Sequence, residues 1–293
     1  MMMTSLQEGS LRLSFYPGCS LATSAKESHQ SLLQACQALG VELIEVPDWN
    51  CCGSSSAHAL DRRLSLELAA RNLSLAPPDR PLMAACPSCL KNLAAARLHL
   101  RDDPGQRARL EDRWGRSLGR IPEIISFLGL LRFLELHGSL RLGGSGDTGQ
   151  PLAGLKVAPY YGCMVHLPKA LRQEPDWRGM LESSLSRLGA QVIQWDGKHR
   201  CCGTFLAASK PQVAAPLIDR IMAAALAAGA DCLVTACAMC QLNLEIRCSL
   251  PRRLPTLHYS QVLALCLGAP ARDDWFTRHL VDPRPMLHAQ GLI

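Results

Sequence analysis

Short apolar runs and amphipathic stretches alternate along the chain, and the same alternation occurs twice. Each series begins with an apolar run, LRLSFY at 11–16 and LKVAPYY at 155–161, that is long enough for a strand and too short for a helix. In the first series a helical stripe of apolar residues over 32–39 follows, and Gly40 is a helix-stop signal. The chain therefore starts each series with a strand followed by a helix.

The rest of each series continues the alternation. A second apolar run (VELIEV, AQVIQW) precedes another helical pattern (RRLSLELAARNLSLA, APLIDRIMAAALAAGA), and a third run (PLMAA, CLVTA) comes after it. Strands that alternate with helices favour parallel sheets with right-handed crossovers. The predicted fold class is α/β, with two tandem Rossmann-like parallel-sheet halves.

An internal duplication explains why the series repeats. YPGCS matches YYGCM, the segment ending DWNCCG matches the segment ending KHRCCG, and AACPSCLKNL matches TACAMCQLNL, at offsets of 144, 150 and 151 residues. Such a steady register is typical of domain-sized copies, here related by a pseudo-two-fold axis. The Gly/Ser-rich stretch between them is the natural linker. The predicted organisation is a first domain over 1–142, a linker over 143–154 and a second domain over 155–293.

Cysteines are the chemically distinctive residues of both copies. Five of the 14 recur in each half, and each group comes directly after a predicted strand. Because the carboxyl ends of parallel strands meet at one edge of the sheet, each group of five is expected to converge. The other four, Cys36, Cys232, Cys248 and Cys266, have no counterpart, and Cys36 on a helical stripe and Cys232 in a strand are interpreted as small core residues. The recurring sets are Cys19, Cys51, Cys52, Cys86 and Cys89, and Cys163, Cys201, Cys202, Cys237 and Cys240.

Five thiols exceed the four that a tetrahedral zinc site or a cubane [4Fe–4S] cluster takes. Three interpretations remain open from the residues alone. One is zinc or a cubane with a spare cysteine, and the second is a cubane beside a reactive thiol. The third is a larger or distorted iron–sulfur cluster in which adjacent thiolates bind different irons, with Gly53 or Gly203 relieving the crowded turn.

Composition narrows the classes of protein. The 293 residues are 48% hydrophobic and 19% charged, with a formal charge of +6 whose basic residues are interleaved with acids, so a nucleic-acid partner is not expected. No secretory signal or membrane span is visible, and the cysteine content fits metal ligands in a reducing cytoplasm. Residues 121–136 are interpreted as a core helix, with a peripheral membrane contact as the alternative.

The doubled pattern C-x31-C-C-G-x32-C-P-x-C and C-x37-C-C-G-x33-C-x-x-C resembles the paired CCG domains of the heterodisulfide reductase B-subunit family. The likeness spans nearly the whole chain, including YPGCSL, AKE, DWNCCG, SAH, ARNL and CQLNL. It implies that each five-cysteine set binds a non-cubane [4Fe–4S] cluster. One departure is Ala238, which stands where the family usually has proline and predicts a looser loop.

The resemblance also implies a function and partners. The family reduces a mixed disulfide between its two clusters, so this chain is predicted to transfer electrons to or from a small thiol, a disulfide or protein-bound sulfur. A ferredoxin-like iron–sulfur subunit and a flavoprotein subunit are the implied partners, since the chain has no nucleotide-binding fingerprint. Sulfur oxidation is an alternative physiological direction.

Two other functions remain beside this one. The first is an electron-transfer and membrane-docking subunit of a non-classical succinate dehydrogenase that passes electrons to quinone, and the second is a zinc-stabilised scaffold. His58 and His166 are weak candidates for proton donors to a leaving thiolate, with a structural role as the alternative. Lys198 and Arg200, which precede the second cysteine pair, suggest a higher potential for the second cluster, unless both simply face solvent.

Overall fold

The computed structural model describes residues 11–115, 117–142, 149–172, 175–270 and 273–293. Strands and helices alternate through the first half, whose last element is a largely buried helix. Its elements are β1 (Leu11–Tyr16), α1 (Gly18–Ala22), α2 (Lys26–Ala38), β2 (Val41–Glu45), α3 (Ser56–Leu60), α4 (Arg62–Leu75), β3 (Leu82–Ala84), α5 (Pro87–Asp102), α6 (Pro104–Trp114), β4 (Ile124–Ile125) and α7 (Phe127–Leu136).

The second half repeats this order with fewer α-helices among its described residues. Short 3-10 turns at Gly162–His166, Lys169–Leu171 and Asp273–Trp275 complete it. Its elements are β5 (Lys156–Tyr160), α8 (Met180–Arg187), β6 (Gln191–Val192), α9 (Pro211–Ala227), β7 (Cys232–Thr235), α10 (Ala238–Arg247), β8 (Thr256–His258), α11 (Tyr259–Cys266) and α12 (Arg284–Ala289).

Each half contains one four-stranded parallel sheet, and the two sheets have the same strand order. The orders are β2-β1-β3-β4 and β6-β5-β7-β8. The registers also correspond: Leu82 pairs with Ile124 in one sheet, as Leu233 pairs with Thr256 in the other. The predicted α/β architecture of two duplicated parallel-sheet halves is confirmed.

The edge strand β4 corrects one prediction. A core helix is predicted over 121–136, but Ile124–Ile125 first adds to the sheet and only then does α7 begin. Ser126 ends the strand because its hydroxyl accepts a hydrogen bond from the backbone N–H of Gly129 at 2.9 Å and thereby caps the helix. Its buried face makes α7 part of the core, as predicted.

The halves pack through equivalent helices in a reciprocal way. Helix α2 of the first half lies against α11 of the second, and α7 of the first lies against α8 of the second. Ser31 and Ser260 share a buried hydrogen bond of 2.7 Å between their hydroxyls, and the Ser28 hydroxyl donates to Gln241 at 3.1 Å. One hydrophobic core therefore continues from half to half, and the reciprocal helix contacts agree with the predicted pseudo-two-fold relation.

The interval between the halves is described in part. The predicted linker over 143–154 lies outside the described residues at 143–148, and 149–154 consist largely of turns. The domain limits at 142 and 155 stay a prediction. Among the helices in the described ranges, none has both the length and the apolar character needed to cross a membrane.

Candidate functional site

The first set of cysteines is brought together at the carboxyl ends of three strands. Cys19 lies in α1 after β1, the pair Cys51–Cys52 follows β2, and Cys86 and Cys89 follow β3. The Sγ atoms of Cys19 and Cys51 are 3.9 Å apart, and those of Cys52 and Cys89 are 3.2 Å apart. Hydrogen bonds also link Cys51 with Cys52 and Cys86 with Cys89, so the five thiols form a continuous chain of contacts.

The second set repeats most of these contacts. Cys163 hydrogen-bonds to Cys201, the Sγ atoms of Cys202 and Cys240 are 3.6 Å apart, and Cys240 also bonds to Cys237. All these thiols are free rather than disulfide-bonded. Within the described residues, no group of three or more His, Cys, Asp or Glu side chains is arranged so that it could hold a single metal ion.

Exposure divides each set in the same way. Three thiols of each half are buried, whereas the first cysteine and the first member of the adjacent pair are exposed. Both sets therefore combine a buried floor with an open edge that a molecule in solution can reach. The exposed thiols are Cys19, Cys51, Cys163 and Cys201.

The exposed thiols of each half are unequal in acidity. A hydrogen bond from Cys19 holds the pKa of Cys51 well below its usual range, and the same bond raises the pKa of Cys19. In the second half a hydrogen bond from Cys163 lowers the pKa of Cys201 to about 6. Of the two exposed thiols in each half, the first cysteine of the adjacent pair is thus the more acidic, and the thiolate is the form that binds metals. Hydrogen bonds also lower the pKa of the buried thiols of Cys86 and Cys202, each to about 7.

The C-x-x-C segments start helices in both halves. Cys86 caps α5 and Cys237 caps α10, so Cys89 and Cys240 lie in the first turns. The partial positive charge at a helix N-terminus favours a thiolate or another negative group there. Ala238 begins α10 as Pro87 begins α5, so the missing proline does not shift the helix start.

Glycines leave room for the sulfurs and for the turn beside them. Gly18 has φ +72°, and a Cβ atom there would lie 3.1 Å from the Sγ of Cys89. Gly53 has φ +79°, and a Cβ atom there would lie 3.1 Å from the Cα of Ser65. Any larger residue would press on the cysteine loops or on the helix below them.

Two tyrosines that sequence analysis did not single out fix the turns before the cysteine pairs. The Tyr16 hydroxyl donates to the carbonyl oxygen of Asn50 at 2.8 Å, and the Tyr160 hydroxyl donates to that of Arg200 at 2.6 Å. Burial, together with the nearby thiols, raises the pKa of both tyrosines, so each remains a donor. The signal was present in the repeat alignment, where Tyr16 and Tyr160 both stand three residues before the first cysteine of their half.

Two asparagines also hold the backbone of the adjacent cysteines, one in each half. The Asn92 side-chain amide donates to the carbonyl oxygen of Cys52, and that of Asn243 donates to the carbonyl oxygen of Cys202 at 2.8 Å. Both asparagines occur in the matched segments CLKNL and CQLNL. Comparison of the copies could have identified them as anchors of the C-C-G turn.

The candidate histidines lie near the cysteine loops. His58 is exposed on α3, five residues beyond Gly53. His166 is exposed on the 3-10 turn that carries Cys163, and its Nε2 lies 3.2 Å from the carbonyl oxygen of His199. Their predicted role as proton donors stays untested.

The basic segment before the second cysteine pair is partly neutralised. The Lys198 ammonium lies 3.3 Å from a carboxylate oxygen of Glu182, whereas Arg200 is exposed. The predicted higher potential of the second cluster would therefore have to come from a lysine whose charge is paired and an arginine whose charge is screened by solvent.

The four cysteines without counterparts are all buried, as was expected for Cys36 and Cys232. Cys36 and Cys232 are fully buried in the core, and burial raises the pKa of each to about 12. Cys266 lies on α11 and Cys248 follows α10. A thiol that stays protonated in an apolar environment is an inert packing group.

Comparisons with known proteins agree with this geometry. A family model described as a cysteine-rich domain, CCG, matches residues 13–94 and 157–245, one match for each half. The chain is 31% identical to the 8-methylmenaquinol:fumarate reductase membrane anchor subunit of Wolinella succinogenes, over 92% of this chain and 96% of that protein. It is 28% identical to the B subunit of a ferredoxin/F420H2-dependent CoB-CoM heterodisulfide reductase of Methanosarcina acetivorans, over 88% and 89%.

A solved structure shares the fold. The crystal structure of a hypothetical protein from Helicobacter pylori superposes with a TM-score of 0.70 at 12% identity, covering 94% of this chain. The chain spans 54% of that structure. The family match and the sequence relatives confirm the resemblance drawn from the doubled cysteine pattern, and the solved structure shows the same fold.

Proposed function

Because the chain belongs to the CCG cysteine-rich domain family, with one copy of the domain in each half, we propose that it is an iron–sulfur subunit of a heterodisulfide-reductase-like complex. In this proposal it transfers electrons to or from the sulfur of a disulfide or thiol substrate. The observation that carries it is the exposed edge of two cysteines in each otherwise buried set.

The two five-cysteine sets are the proposed ligands of two non-cubane [4Fe–4S] clusters. Each set offers thiolates alone, which are the donors that iron–sulfur clusters prefer. Its sulfurs are linked pairwise from one end of the set to the other, and the adjacent pair presents one exposed and one buried thiol. This spread supports a centre of several metal atoms over a zinc scaffold. A bound cluster would supply one-electron transfer.

The chain's own residues would hold the centres and keep one side open. Tyr16 and Asn92 in the first half, and Tyr160 and Asn243 in the second, fix the backbone of the adjacent cysteines. Reduction of a disulfide to two thiols consumes two electrons and two protons. Two centres that each deliver one electron match that requirement, and His166 on the open rim is the proposed proton donor at the second.

The electrons have to come from, or go to, other subunits. Relatives of this chain are named as subunits of heterodisulfide reductase and of a quinol:fumarate reductase, both multisubunit enzymes. For this chain we propose a ferredoxin-like subunit and a flavoprotein subunit as partners, in a cytoplasmic complex.

Anaerobic purification tests the proposal. We expect about eight irons per chain. We also expect the EPR signal to change when a thiol is added to the oxidised protein, and when a disulfide is added to the reduced protein. Tightly bound zinc with no iron or acid-labile sulfide would contradict the cluster assignment. Clusters whose EPR signal ignores thiols and disulfides would contradict the substrate class.

A second candidate function is supported by the Wolinella relative, whose name identifies a membrane anchor subunit of an enzyme that oxidises 8-methylmenaquinol. In that case the chain would pass electrons between quinone and a succinate- or fumarate-converting flavoprotein at the membrane surface. Two measurements separate the candidates: co-purification with such a flavoprotein, and reoxidation of the reduced clusters by a menaquinone analogue instead of by a disulfide.

A further inference from the structure

The tail of the chain fills a groove on the second half. Beyond α11, Trp275 and Phe276 are buried, and the His279 side chain is 1% exposed. His279 contacts three residues of the groove: its Nδ1 lies 2.9 Å from Glu245, and its Nε2 lies 3.2 Å from both Gln241 and Gln261. We call the surface formed by these three residues the tail groove.

The tail groove also binds the tail through the backbone. The side-chain amide of Gln261 donates to the carbonyl oxygen of Trp275 at 3.2 Å, and the backbone N–H of Leu280 donates to Glu245 at 2.9 Å. Ser28, at the start of α2 in the first half, also borders the groove, because its hydroxyl donates a hydrogen bond to Gln241. The tail is therefore held in the tail groove by contacts to both its side chains and its main chain.

The same place on the first half is open. Gln241 and Glu245 lie four and eight residues after the capping Cys237, and the corresponding positions after Cys86 are Leu90 and Ala94. Likewise, Gln261 lies three residues after the cap of α11, and the corresponding residue after the cap of α7 is Gly129. Leu90, Ala94 and Gly129 all line one cavity of about 710 Å³.

The second half also borders this cavity. Arg172, which lies between Cys163 and α8, lines it together with the residues of the first half. Three positions on two separate segments thus match between the tail groove and the cavity. Small residues, Ala94 and Gly129, replace two of the long polar side chains that grip the tail, which leaves space for a larger occupant.

The cavity is strongly basic over an apolar floor. Five arginines line it with a single described carboxylate, that of Glu123, and the floor includes Ile121, Ile124 and Phe133. Some of these arginines have partners: Arg101 pairs with Asp102 and Arg107 with Glu111. The Nε of Arg97 is buried without a hydrogen-bond partner among the described residues. The five arginines are Arg97, Arg101, Arg107, Arg120 and Arg172.

We propose that this cavity, which we call the arginine cavity, binds a polypeptide segment of a partner protein that carries acidic side chains next to an aromatic one. Its charge is complementary to carboxylates, and guanidinium groups bind carboxylates through paired hydrogen bonds. An aromatic side chain suits the apolar floor, as Trp275 and Phe276 are buried with the tail on the second half.

The duplicated groove favours a polypeptide over a lipid. On the second half the same surface holds main-chain atoms as well as aromatic side chains. In the first half, smaller or apolar residues stand at the positions of the polar groove residues, and arginines at other positions line the cavity. The arginine cavity does not include the cysteine sites, so its test can fail while the proposed cluster function stands, and the reverse.

Fluorescence anisotropy with the full-length protein tests the proposal. The probe is a fluorescein-labelled peptide, Asp-Asp-Trp-Phe-Thr-Glu-Asp-Leu, and the control peptide has lysine at every acidic position. We expect saturable binding of the acidic peptide alone. The double variant Arg97→Glu and Arg101→Glu should bind it at least about ten-fold more weakly, because it reverses two charges at the site.

Two further variants keep this test specific. Arg252→Glu with Arg253→Glu makes the same charge change at an exposed loop outside the cavity, and it should bind like the wild type. Ala94→Glu gives the first half the carboxylate of the tail groove and should also weaken binding by about ten-fold. Circular dichroism melting curves check that all variants are folded.

Several results would overturn the proposal. These are no binding of the acidic peptide, equal binding of the lysine peptide, or equal binding by the wild type and the Arg97/Arg101 variant. Sedimentation with phosphatidylglycerol vesicles that requires Arg97 and Arg101, and that the acidic peptide does not reduce, would assign the cavity to a lipid instead.

Discussion

The two cysteine turns are more alike in structure than in sequence. Residues 51–60 and 201–210 have the same succession of exposed, intermediate and buried positions, although only Cys-Cys-Gly and one alanine are identical. The grooves beside α5 and α10, by contrast, differ in structure: equivalent positions line an open cavity in the first half and contact the tail in the second. The duplication has kept the thiol sites and changed the surface around them.

This contrast indicates which residues determine the site. The flanking residues differ, yet the turn is held in both halves by a tyrosine hydroxyl and an asparagine amide that bond to its backbone. Because these hydrogen bonds are made to backbone atoms, they do not depend on which side chains flank the cysteines, so the flanking residues were able to change.

The largest expected difference comes from removing one buried cysteine of a pair. Cys52→Ala should abolish the first centre and Cys202→Ala the second, so each variant should keep about half of the iron and sulfide. Cys36→Ala removes a cysteine that is buried in the core and should keep all of it. Iron and sulfide analysis of anaerobically purified protein checks this, and loss of all iron from either single variant would show that the two centres are not independent.

The next effect distinguishes the helix caps of the halves. His258 caps α11 where Ser126 caps α7, and burial lowers the pKa of His258 to about 4. The unfolded chain takes up this proton near pH 6.5 and the native protein only near pH 4, so stability should fall as the pH drops through that window. The total loss should be about 3 kcal/mol.

The variant His258→Ser should remove that part of the pH dependence, because it gives both halves the same cap. Denaturant unfolding of wild type and variant at several values between about pH 7 and about pH 5 measures the difference. Parallel pH profiles of the two proteins would mean that His258 is not the group responsible.

A smaller effect separates the two tyrosines. The carbonyl oxygen of Asn50 also accepts a hydrogen bond from the Asn72 side chain at 2.9 Å, so it keeps a partner when Tyr16 is replaced. Tyr16→Phe should therefore lower the free energy of unfolding by about 1 kcal/mol. Tyr160→Phe should lower it by about 2 kcal/mol, since the carbonyl oxygen of Arg200 loses the hydroxyl that donates to it. Chemical denaturation measures both, and a larger cost for Tyr16→Phe would contradict this difference.

The smallest effect concerns the charges before the pairs. Lys198→Gln breaks a partly exposed ion pair with Glu182 and should cost about 0.5 kcal/mol. The potential of the second centre should move little, since Glu182 already neutralises much of the lysine's charge. Redox titration of the variant checks this, with Arg200→Gln as the matched control. A large shift from Lys198→Gln alone would restore the idea that the basic segment sets the potential.

Much of the fold followed from the sequence because strand and helix periodicities alternate without ambiguity. Strands β4 and β8 were missed, since two or three residues are too short for a periodic signal; each pairs with the edge of the preceding strand, β3 or β7. The convergence of the cysteines was predictable from their positions after strands. Their contacts now support that expectation, while their role as ligands stays a proposal.

Other parts of the site depend on tertiary contacts that no local pattern encodes. Tyr16 and Asn50 are 34 residues apart, and Asn92 and Cys52 are 40 residues apart. The tail groove needs residues from α2, α10, α11 and the tail together. Repeat alignment marks Tyr16 and Asn92 as recurrent, but it cannot tell which backbone atoms they contact.

The reciprocal packing of α2 on α11 has a consequence for biosynthesis. Ser31 and Ser260, which join the two helices, are 229 residues apart, so the apolar face of α2 emerges from the ribosome long before its cover is made. During that interval Leu32, Ala35 and Cys36 have no partner helix from the second half. Burial of this face of α2 therefore has to wait for nearly the whole chain, and nascent chains that stall before α11 should be substrates for chaperones and proteases.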